Sequence, residues 1–490
     1  MQQNLMGVVY TLLLILCCLG LAFLVSHKNA EIARKVVHIG VAHWYFIYIN
    51  CFSAAWPALA GLAAFAVING ILNVSGGLSL LMGQKSTKRN WGLVWFPISF
   101  FVMIVLCELG IGNRTALGCA MLGLGWGDGL AALIGGRYGK HLIADKKTWL
   151  GFLTLFVVVA VICFLFTDNI TISAFTALIA AILEVLTPFG LDNISVPLGI
   201  YASASILSMR FETLSSILPG KLPGSMVLLL LIIAFGTLAI LSVHLKLLTV
   251  TGALAAFLVG ITITCSFRFQ GLLLLLAFFI SSNLLGKLRG RLRTAVPGII
   301  EQKGAQRDHI QVAANGLAAA LAAVFWLWSG DTAALAVFCA ALAEATSDTW
   351  AGEIGRLSKR PPISMKSGKT VEQGISGGVT PIGFIGGFAG AAFIALLSRL
   401  LFFPERSMHL FLIVCLSGFA GCVLDSVLGA FGQALYFDQQ SGHYSESPYS
   451  GDGSEIPLQN GYRWMDNDMV NFICNVISAI LAGALWIVLT

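Results

Sequence analysis

Residues 115–135, TALGCAMLGLGWGDGLAALIG, form an apolar stretch that carries a single charged side chain, that of Asp128. A helix that crosses a bilayer needs about 20 mainly apolar residues, so this stretch is long enough to span one. Its many glycines and alanines allow neighbouring helices to approach closely within lipid. The stretch therefore predicts a transmembrane helix that packs closely around one carboxylate.

The composition extends this prediction to the whole chain of 490 residues. Hydrophobic residues make up 57% of the sequence and charged residues only 11%, whereas soluble domains average about 25% charged residues. These values exclude a soluble globular enzyme, a disordered regulator and a DNA-binding protein. The net charge of +6, from 29 basic and 23 acidic residues, is too diffuse for a nucleic-acid footprint. We expect an all-α, polytopic transmembrane helix bundle with about 13 to 15 spans.

The positive charges predict the orientation of this bundle. Residues 1–29 lack a basic start and a cleavage motif, and they are interpreted as a retained N-terminal membrane anchor. Clusters of Lys and Arg mark loops that face the cytoplasm. We expect four such loops on that side, at 85–90, 137–149, 287–309 and 356–376. We therefore expect a multi-pass protein of a bacterial cytoplasmic membrane with its active sites facing the cytoplasm.

The apolar pattern is interrupted between residues 210 and 224, and the two halves of the chain resemble each other weakly. In each half an Asp, Asp128 or Asp348, is followed by Ala at +3, Gly at +7, an Arg, and Lys-Thr about twenty residues later. This pattern predicts two related modules, with Lys369-Thr370 as the counterpart of Lys147-Thr148. The predicted organisation is an anchor (1–29), a first membrane domain (30–210), a linker with one span (211–244), and a second membrane domain (245–490) with an exposed polar loop at 436–469.

The predicted spans contain several acidic residues, which in lipid either join helices or mark functional sites. They lie near glycine-rich loops with basic residues, at 135–140 and 367–370. Phosphoryl transfer needs carboxylates for a divalent ion, basic groups for the phosphate oxygens, and backbone that can approach closely. Neither loop is a Walker A motif, because Ile363 stands where that motif requires Gly. Polar residues also recur along helix faces, as in Arg307, Gln311 and Asn315.

Residues of the first half carry a family resemblance. About residues 30–200 resemble the phytol kinase and dolichol kinase family of CTP-dependent polyprenol kinases. The resemblance is carried by Arg34-Lys35-x-x-His38-x-Gly40, Trp91-Gly-x-x-x-Phe96-Pro97, Gly127-Asp128-Gly-x-Ala131-x-x-x-Gly135-x-Arg137-x-Gly139, Lys147-Thr148-x-x-Gly151, and Glu184 ahead of Gly190-Leu-Asp192-Asn193.

The second half carries another resemblance. About residues 245–490 resemble the phytyl-phosphate kinase family, so that the chain looks like a fusion of the two. The carriers are Thr251-Gly252-Ala-x-Ala255, Gln311-Val-x-Ala-Asn315-Gly316, Ser347-Asp348-Thr-Trp350-Ala-x-Glu353-Ile-Gly355, Gly377-Gly378-Val-Thr380, Gly421-x-x-x-Asp425-Ser426-x-x-Gly429-Ala430 and Asn467-Asp468-x-Val-Asn471.

The resemblance implies two consecutive reactions in isoprenoid salvage. An isoprenoid alcohol such as phytol or geranylgeraniol would become a monophosphate and then a diphosphate, with CTP or another nucleoside triphosphate as donor and Mg²⁺ or a similar cation as cofactor. The chain departs from the kinase pattern Lys-Thr-x-Glu-Gly-Ser at Leu150 and Phe152, which puts the activity of the first module in question. The oligomeric state and the chain length of the alcohol stay open.

The charge pattern and the resemblance together assign the expected site residues. Catalytic roles are expected for Asp128, Lys147, Asp348, Glu353 and Lys369. Nucleotide or phosphate contacts are expected from Arg34, Lys35, His38, Gly135, Arg137, Gly139, Thr148, Asp192, Asn193, Gln311, Asn315, Thr370, Asn467, Asp468 and Asn471. The expected metal ligands are Asp128, Asp192, Asp348 and Asp425.

Two other functions fit the same sequence features. A CTP:lipid-phosphate cytidylyltransferase would use similar substrates but would release a different leaving group. A membrane transporter would also combine many helices, repeats and intramembrane acids. The acids of this chain adjoin loops rich in Lys, Gly and Thr, which suits a nucleotide better than a transported ion.

Overall fold

The computed structural model describes residues 2–26, 30–75, 91–144, 147–188, 190–211, 214, 217, 222–292, 306–402, 408–439, 442–450 and 453–490. These residues form sixteen helices and seven short strands. The chain divides into two compact units, Met1–Thr213 and Leu214–Thr490. The predicted cytoplasmic loop at 85–90, and most of that at 287–309, lie outside the described residues.

The first unit is organised around one helix, α6. Its elements are α1 (Gln2–Ser26), α2 (Ala30–Ala42), α3 (Trp44–Cys51), α4 (Ala55–Ser75), α5 (Gly92–Glu108), α6 (Arg114–Tyr138), β1 (Leu142–Ala144), β2 (Lys147–Thr148), α7 (Trp149–Thr167), α8 (Ile170–Leu186) and α9 (Asp192–Arg210). Fifteen of the 25 residues of α6 are buried, and α6 packs against α2, α7 and α9. Residues 115–135 thus form the core of the unit.

The second unit has the same kind of centre. Its elements are α10 (Gly224–His244), α11 (Val250–Leu292), α12 (His309–Ser329), α13 (Thr332–Gly355), β3 (Ile363–Ser364), β4 (Gly378–Val379), α14 (Pro381–Phe402), α15 (Met408–Phe431), β5 (Leu435–Asp438), β6 (His443–Ser445), β7 (Leu458–Asn460) and α16 (Asn467–Leu489). Fourteen of the 24 residues of α13 are buried. This helix contacts α11, α12, α14, α15 and α16.

Small residues let both central helices pack closely. A Cβ at Gly125 of α6 would overlap the Ala42 side chain of α2. In the second unit, a Cβ at Gly418 of α15 would lie 2.6 Å from the Ala343 Cβ of α13. Backbones that approach this closely gain van der Waals contact, which is the main source of helix association in lipid.

The apolar outer surfaces are those of an integral, multi-pass membrane protein. Ten helices of the described residues are long and apolar enough to cross a membrane, and the two 17-residue helices α5 and α8 are also apolar. Their large side chains face outward, as Leu16 and Leu24 of α1 do at 65% and 70% exposure. An exposed leucine on such a helix is in contact with lipid rather than water.

Within the described residues, ten long and two shorter apolar helices are present, fewer than the 13 to 15 spans expected for the whole chain. Residues 36–51 read as one span in the sequence, but the structure divides them between the short helices α2 and α3 at His43. Helix α13 is long enough to span, but it carries three acidic residues, which lower its hydropathy. Helix α11 is one of the ten long helices, although the two apolar runs at 248–266 and 270–286 predict two separate spans.

Helix α11 folds back on itself at Arg268, whose φ of 56° and ψ of −150° interrupt the helical backbone. A Cβ at Gly271 would lie 3.0 Å from the Ile263 side chain, eight residues earlier. Eight residues of straight helix span about 12 Å, so the two halves must turn back beside each other. The apolar pattern therefore predicted the two segments, and the structure adds the sharp turn between them.

The polar region predicted as an exposed loop at 436–469 is partly ordered sheet. Strand β5 lies between β6 and β7 in an antiparallel arrangement. Tyr436 and Ile456 are buried within this segment, at 3% and 4% exposure. The prediction of a simple exposed loop was wrong, because scattered apolar residues here form a small core of their own.

We predict that Gly418→Val destabilises the second unit by about 1–3 kcal/mol, because the added methyl groups must displace the backbone of α13. Thermal unfolding of the purified protein in detergent measures this change. Gly236→Val is the matched control, since no atom lies within 4 Å of a Cβ at Gly236. Equal unfolding temperatures for the two variants would contradict the packing described here.

Candidate functional site

Asp128 lies buried on the central helix of the first unit and is held by two side chains of α2. The Lys35 Nζ donates to both carboxylate oxygens, at 2.8 and 2.7 Å. The His38 Nε2 lies 3.3 Å from the Asp128 Oδ2. The side chains of Lys35 and Asp128 are only 6% and 11% exposed. Because burying one charge alone costs several kcal/mol, the pair forms a mutually dependent unit.

A second charged cluster surrounds Lys147 of β2. Its Nζ donates to the buried Glu184 carboxylate and lies 3.2 Å from the Asp192 Oδ2. Asp192 is oriented in turn by Asn193, whose backbone N–H donates to its Oδ1 at 3.0 Å. The side chain of Lys147 is 33% exposed, so this cluster reaches the surface of the unit.

Electrostatics link the two clusters. Burial by itself lowers the pKa of Lys147, but the charges of Glu184, Asp192 and Asp128 together raise it above its usual range. A raised pKa keeps Lys147 protonated throughout the neutral and mildly alkaline range. The first unit therefore places two lysines and three carboxylates around one region.

The glycines and threonine of the first predicted loop fix the geometry of this region. The Thr148 Oγ1 accepts a hydrogen bond from the Gly151 N–H at 3.1 Å and so caps the N-terminus of α7. A Cβ at Gly135 would lie 2.8 Å from the Gly151 Cα. Gly139 is as tightly confined against Thr148. These residues bring the end of α6 against the start of α7; a phosphate contact for them stays a prediction.

Other predicted residues of the first half lie at the edge of the region. Arg34 is half-buried one position before Lys35. Arg137 is exposed and lies over the Tyr138 ring, 5.4 Å from its centroid. Leu150 and Phe152, which replace the acidic and small residues of the kinase pattern, begin α7, and Phe152 packs against the apolar core. Glu184 was not among the predicted site residues, although its charge within an apolar helix was a usable signal.

The second unit contains a polar pocket beside Asp348. The pocket holds about 850 Å³ including its open mouth, and Asp348 and Asp425 both line it. Arg356 and the loop from Gln373 to Thr380 also line it. Gly374 and Gly377 of this loop have φ of 95° and 74°, a region that glycine adopts readily. Gly377, Gly378 and Thr380 of this loop carry part of the family resemblance, but no site residue was predicted in the loop.

Amides hold the acidic residues of the second unit. The Asn471 amide, oriented with its nitrogen toward the acceptors, donates to the Asp425 Oδ2 at 3.0 Å. The Asn475 Nδ2 donates to the buried Glu344 Oε2 at 2.7 Å. In the described part of the chain, no three His, Cys, Asp or Glu residues are grouped as a metal site of their own. Mg²⁺ commonly uses only one or two carboxylates and completes its shell with phosphate and water.

The structure repeats the arrangement of the first unit with a different register from that expected. The Thr380 Oγ1 accepts from the Gly383 N–H at 3.1 Å, as Thr148 does from Gly151. A Cβ at Gly355 would lie 3.2 Å from the Thr380 Oγ1 and 3.4 Å from the Gly383 Cα. Asp348, seven residues before Gly355, thus corresponds to Asp128, seven residues before Gly135.

The proposed pairing of Lys369-Thr370 with Lys147-Thr148 was therefore wrong. The counterpart of Thr148 is Thr380, and Val379 stands where the first unit has Lys147. Lys369 and Thr370 are exposed and are not among the residues that line the pocket. The prediction counted residues from the aspartate. That count fails because the segment that connects α13 to α14 is longer than the one that connects α6 to α7, and it contains the β3–β4 pair.

The remaining predicted residues of the second half are not brought into this pocket. A Cβ at Gly286 of α11 would lie 3.9 Å from the Glu353 carboxylate, whereas Asp348 faces the pocket. Gln311 and Asn315 line a second, largely apolar pocket together with Arg307. Asn467 and Asp468 begin α16, and Asp468 is buried at 3% exposure.

Comparisons with known proteins show the family to which the chain belongs. Residues 233–479 match the family model described as integral membrane protein DUF92. The chain is 34% identical over 191 residues to a phytol kinase of Synechocystis sp., covering 36% of this chain and 78% of that protein. It is 28% identical over 281 residues to the protein PGR of Arabidopsis thaliana, covering 52% of this chain and 95% of that protein.

An uncharacterized membrane protein of Methanocaldococcus jannaschii is 33% identical over 184 residues, covering 36% of this chain and 72% of that protein. No solved structure matches the chain. The family model covers half of this sequence, and the phytol kinase is matched over most of its own length. The chain therefore belongs to the DUF92 family of integral membrane proteins.

Proposed function

We propose that this protein phosphorylates an isoprenoid alcohol to its monophosphate in the first unit and phosphorylates that monophosphate to the diphosphate in the second. The proposed donor is CTP, with Mg²⁺, and both sites face the cytoplasm. The observation that carries the proposal is the repeated arrangement of a central helix bearing an aspartate against a threonine-capped helix start. The homology to a protein named phytol kinase supports an isoprenoid alcohol as the first substrate.

The residues present fit a metal–nucleotide. Asp348 and Asp425 line one pocket with a glycine-rich loop and Arg356, which supplies carboxylates for a cation and donors for phosphate. The N-terminus of α14 follows this loop directly, and helix N-termini favour anions. When bound, the metal would neutralise the charge that develops on the phosphate oxygens.

In the first unit, the alcohol oxygen forms a bond to the γ-phosphorus of the donor. The bond from this phosphorus to the bridging oxygen breaks, and the nucleoside diphosphate leaves. Asp128 would hold the metal, and Lys35, released from its ion pair, and Lys147 would bind phosphate oxygens. The His38 Nε2 faces Asp128, which leaves Nδ1 to accept the hydroxyl proton as a general base.

The second reaction has a different chemical requirement. Its nucleophile is an oxygen of a phosphate monoester, whose second pKa is about 6, so it is already ionised at neutral pH. No general base is then needed. Asp348 and Asp425 would hold the metal there, and Arg356 would bind phosphate oxygens.

The proposal is tested with membranes from an expressing host that are supplied with phytol, farnesol or a longer polyprenol. CTP labelled at the γ-phosphate should transfer its label to lipid monophosphate and diphosphate. CTP labelled at the α-phosphate should leave the lipid unlabelled. Label from the α-phosphate in the lipid would identify a cytidylyltransferase instead, and no label from either donor would refute the proposed activity.

We predict that the two reactions are separable by mutation. Asp128→Asn should reduce alcohol phosphorylation by at least 100-fold, in the range of about 2.7–4 kcal/mol typical for loss of one transition-state stabiliser. The same variant should still form diphosphate from supplied monophosphate. Asp348→Asn should accumulate monophosphate from alcohol. Thin-layer separation of labelled products measures both steps.

The matched control for these two variants is Glu455→Gln, which removes an exposed carboxylate of the second unit. It should leave both reactions unchanged. If Asp348→Asn abolishes the first phosphorylation as well, the two reactions share one composite site and the serial scheme is refuted.

We also predict that Arg356 contributes more to the second reaction than Lys369 does. Arg356 lines the pocket with Asp348, whereas Lys369 is exposed outside it. Arg356→Gln should lower the rate of diphosphate formation at least tenfold, and Lys369→Gln should lower it less than twofold. Rates measured with supplied monophosphate test this order; the reverse order would restore the alignment of Lys369 with Lys147.

A further inference from the structure

The second unit contains another pocket, whose lining includes none of the residues assigned roles in the two phosphoryl transfers. Sixteen of its twenty lining residues are apolar or glycine, and it holds about 990 Å³ including its open mouth. Helix α10, both halves of α11 and the start of α12 form its walls. Pockets lined mainly by apolar side chains with a few polar groups are typical of sites for small ligands.

The four polar lining residues include three near the start of α12: Arg307, Gln311 and Asn315. Gln311 and Asn315 are four residues apart on α12 and therefore lie on one side of it. Arg307 precedes the N-cap Asp308 and lines the pocket with them. The other long wall of the pocket consists of apolar residues such as Phe235, Phe257 and Leu272. The pocket thus has an apolar body and a polar side that carries one positive charge.

The backbone holds Arg307 firmly in this position. Its N–H donates to the Leu247 O at 3.0 Å, and its O accepts from the Thr249 N–H at 3.0 Å. Gly252 packs so closely on the Arg307 carbonyl that a Cβ there would overlap it. The start of α11 therefore packs directly against the backbone of Arg307, and Arg307 lines the pocket.

The half-buried charge of Arg307 favours an anionic ligand. Burial lowers the pKa of Arg307, and the charge of Glu353 opposes this change. An arginine stays protonated in proteins, so its desolvation must be offset by negative charge and hydrogen bonds. A phosphate offers both, and arginine binds it with two parallel hydrogen bonds.

We propose that this pocket binds an isoprenyl monophosphate, with the isoprenoid chain in the apolar body and the phosphate at Arg307, Gln311 and Asn315. The inference deepens the proposed function, since this lipid is the product of the first reaction and the substrate of the second. A phosphate monoester carries about −1.5 to −2 charge and three terminal oxygens. The three side chains at the polar side supply donors for them, whereas a bilayer phosphodiester has only two terminal oxygens.

The binding is tested on the purified full-length protein in nanodiscs with a photoreactive isoprenyl monophosphate. Cross-links should map to α10, α11 or α12 and should be competed by unlabelled isoprenyl monophosphate. Phosphatidylglycerol should compete at least tenfold less well. Equal competition by phosphatidylglycerol would show a site for bilayer phospholipid and would overturn the proposal.

Variants at the polar side and in the apolar body of the pocket test the two parts of the proposed site separately. Arg307→Gln should weaken binding about tenfold or more, as expected for loss of a charged hydrogen-bond donor. Arg307→Lys should restore part of it, and Arg463→Gln, at an exposed arginine, should have no effect. Ala239→Trp should fill the apolar body and block binding even if the phosphate contacts persist. Unchanged binding in Arg307→Gln would refute the assignment.

Kinetics separate this inference from the proposed function. If both hold, Arg307→Gln raises the KM for isoprenyl monophosphate with little change in kcat, and it leaves alcohol phosphorylation unchanged. If the protein binds the monophosphate through Arg307 but phosphorylates neither lipid, the proposed function fails and the binding site stands. Phosphorylation without Arg307-dependent binding would refute the site alone.

Discussion

The structure of each unit depends on an aspartate placed within the most buried helix of a membrane protein. A carboxylate in this position is costly unless charge or hydrogen bonds compensate for it. In the first unit, Lys35 provides that compensation at 2.7 Å, and it can do so because Gly125 lets α2 approach α6. The small residues, the helix packing and the ion pair are therefore consequences of one requirement.

The two units meet this requirement differently, and the difference fits the different nucleophiles of the two reactions proposed above. The first unit surrounds its carboxylates with lysines and a histidine. The second holds its acidic residues with the amides of Asn471 and Asn475 and places a glycine-rich loop beside them. An alcohol must lose a proton when it attacks phosphorus, whereas a phosphate oxygen need not.

The sequence predicted much of this arrangement, and its errors have physical causes. Asp128 and Asp348 were identifiable from the sequence because an acidic residue within an apolar run is costly in lipid and is seldom present without a structural or functional reason. The pairing of Lys369 with Lys147 failed because residue spacing along a loop does not report where the next helix starts; the threonine caps do. Glu353 and Asp348 are neighbours in the chain, yet they face different partners, since five residues along a helix turn the side chain by about 140°.

Length, hydropathy and charge alone determined that this chain is a helical membrane protein with acidic residues inside its spans, because a bilayer accepts few other solutions. Only the tertiary structure decided which residues meet. The ion pair of Lys35 with Asp128 joins residues 93 positions apart, and the turn of α11 at Arg268 brings its two halves to one pocket with Arg307. Such contacts depend on how helices pack against each other. The spacing of residues along one helix does not show which other helices pack against it.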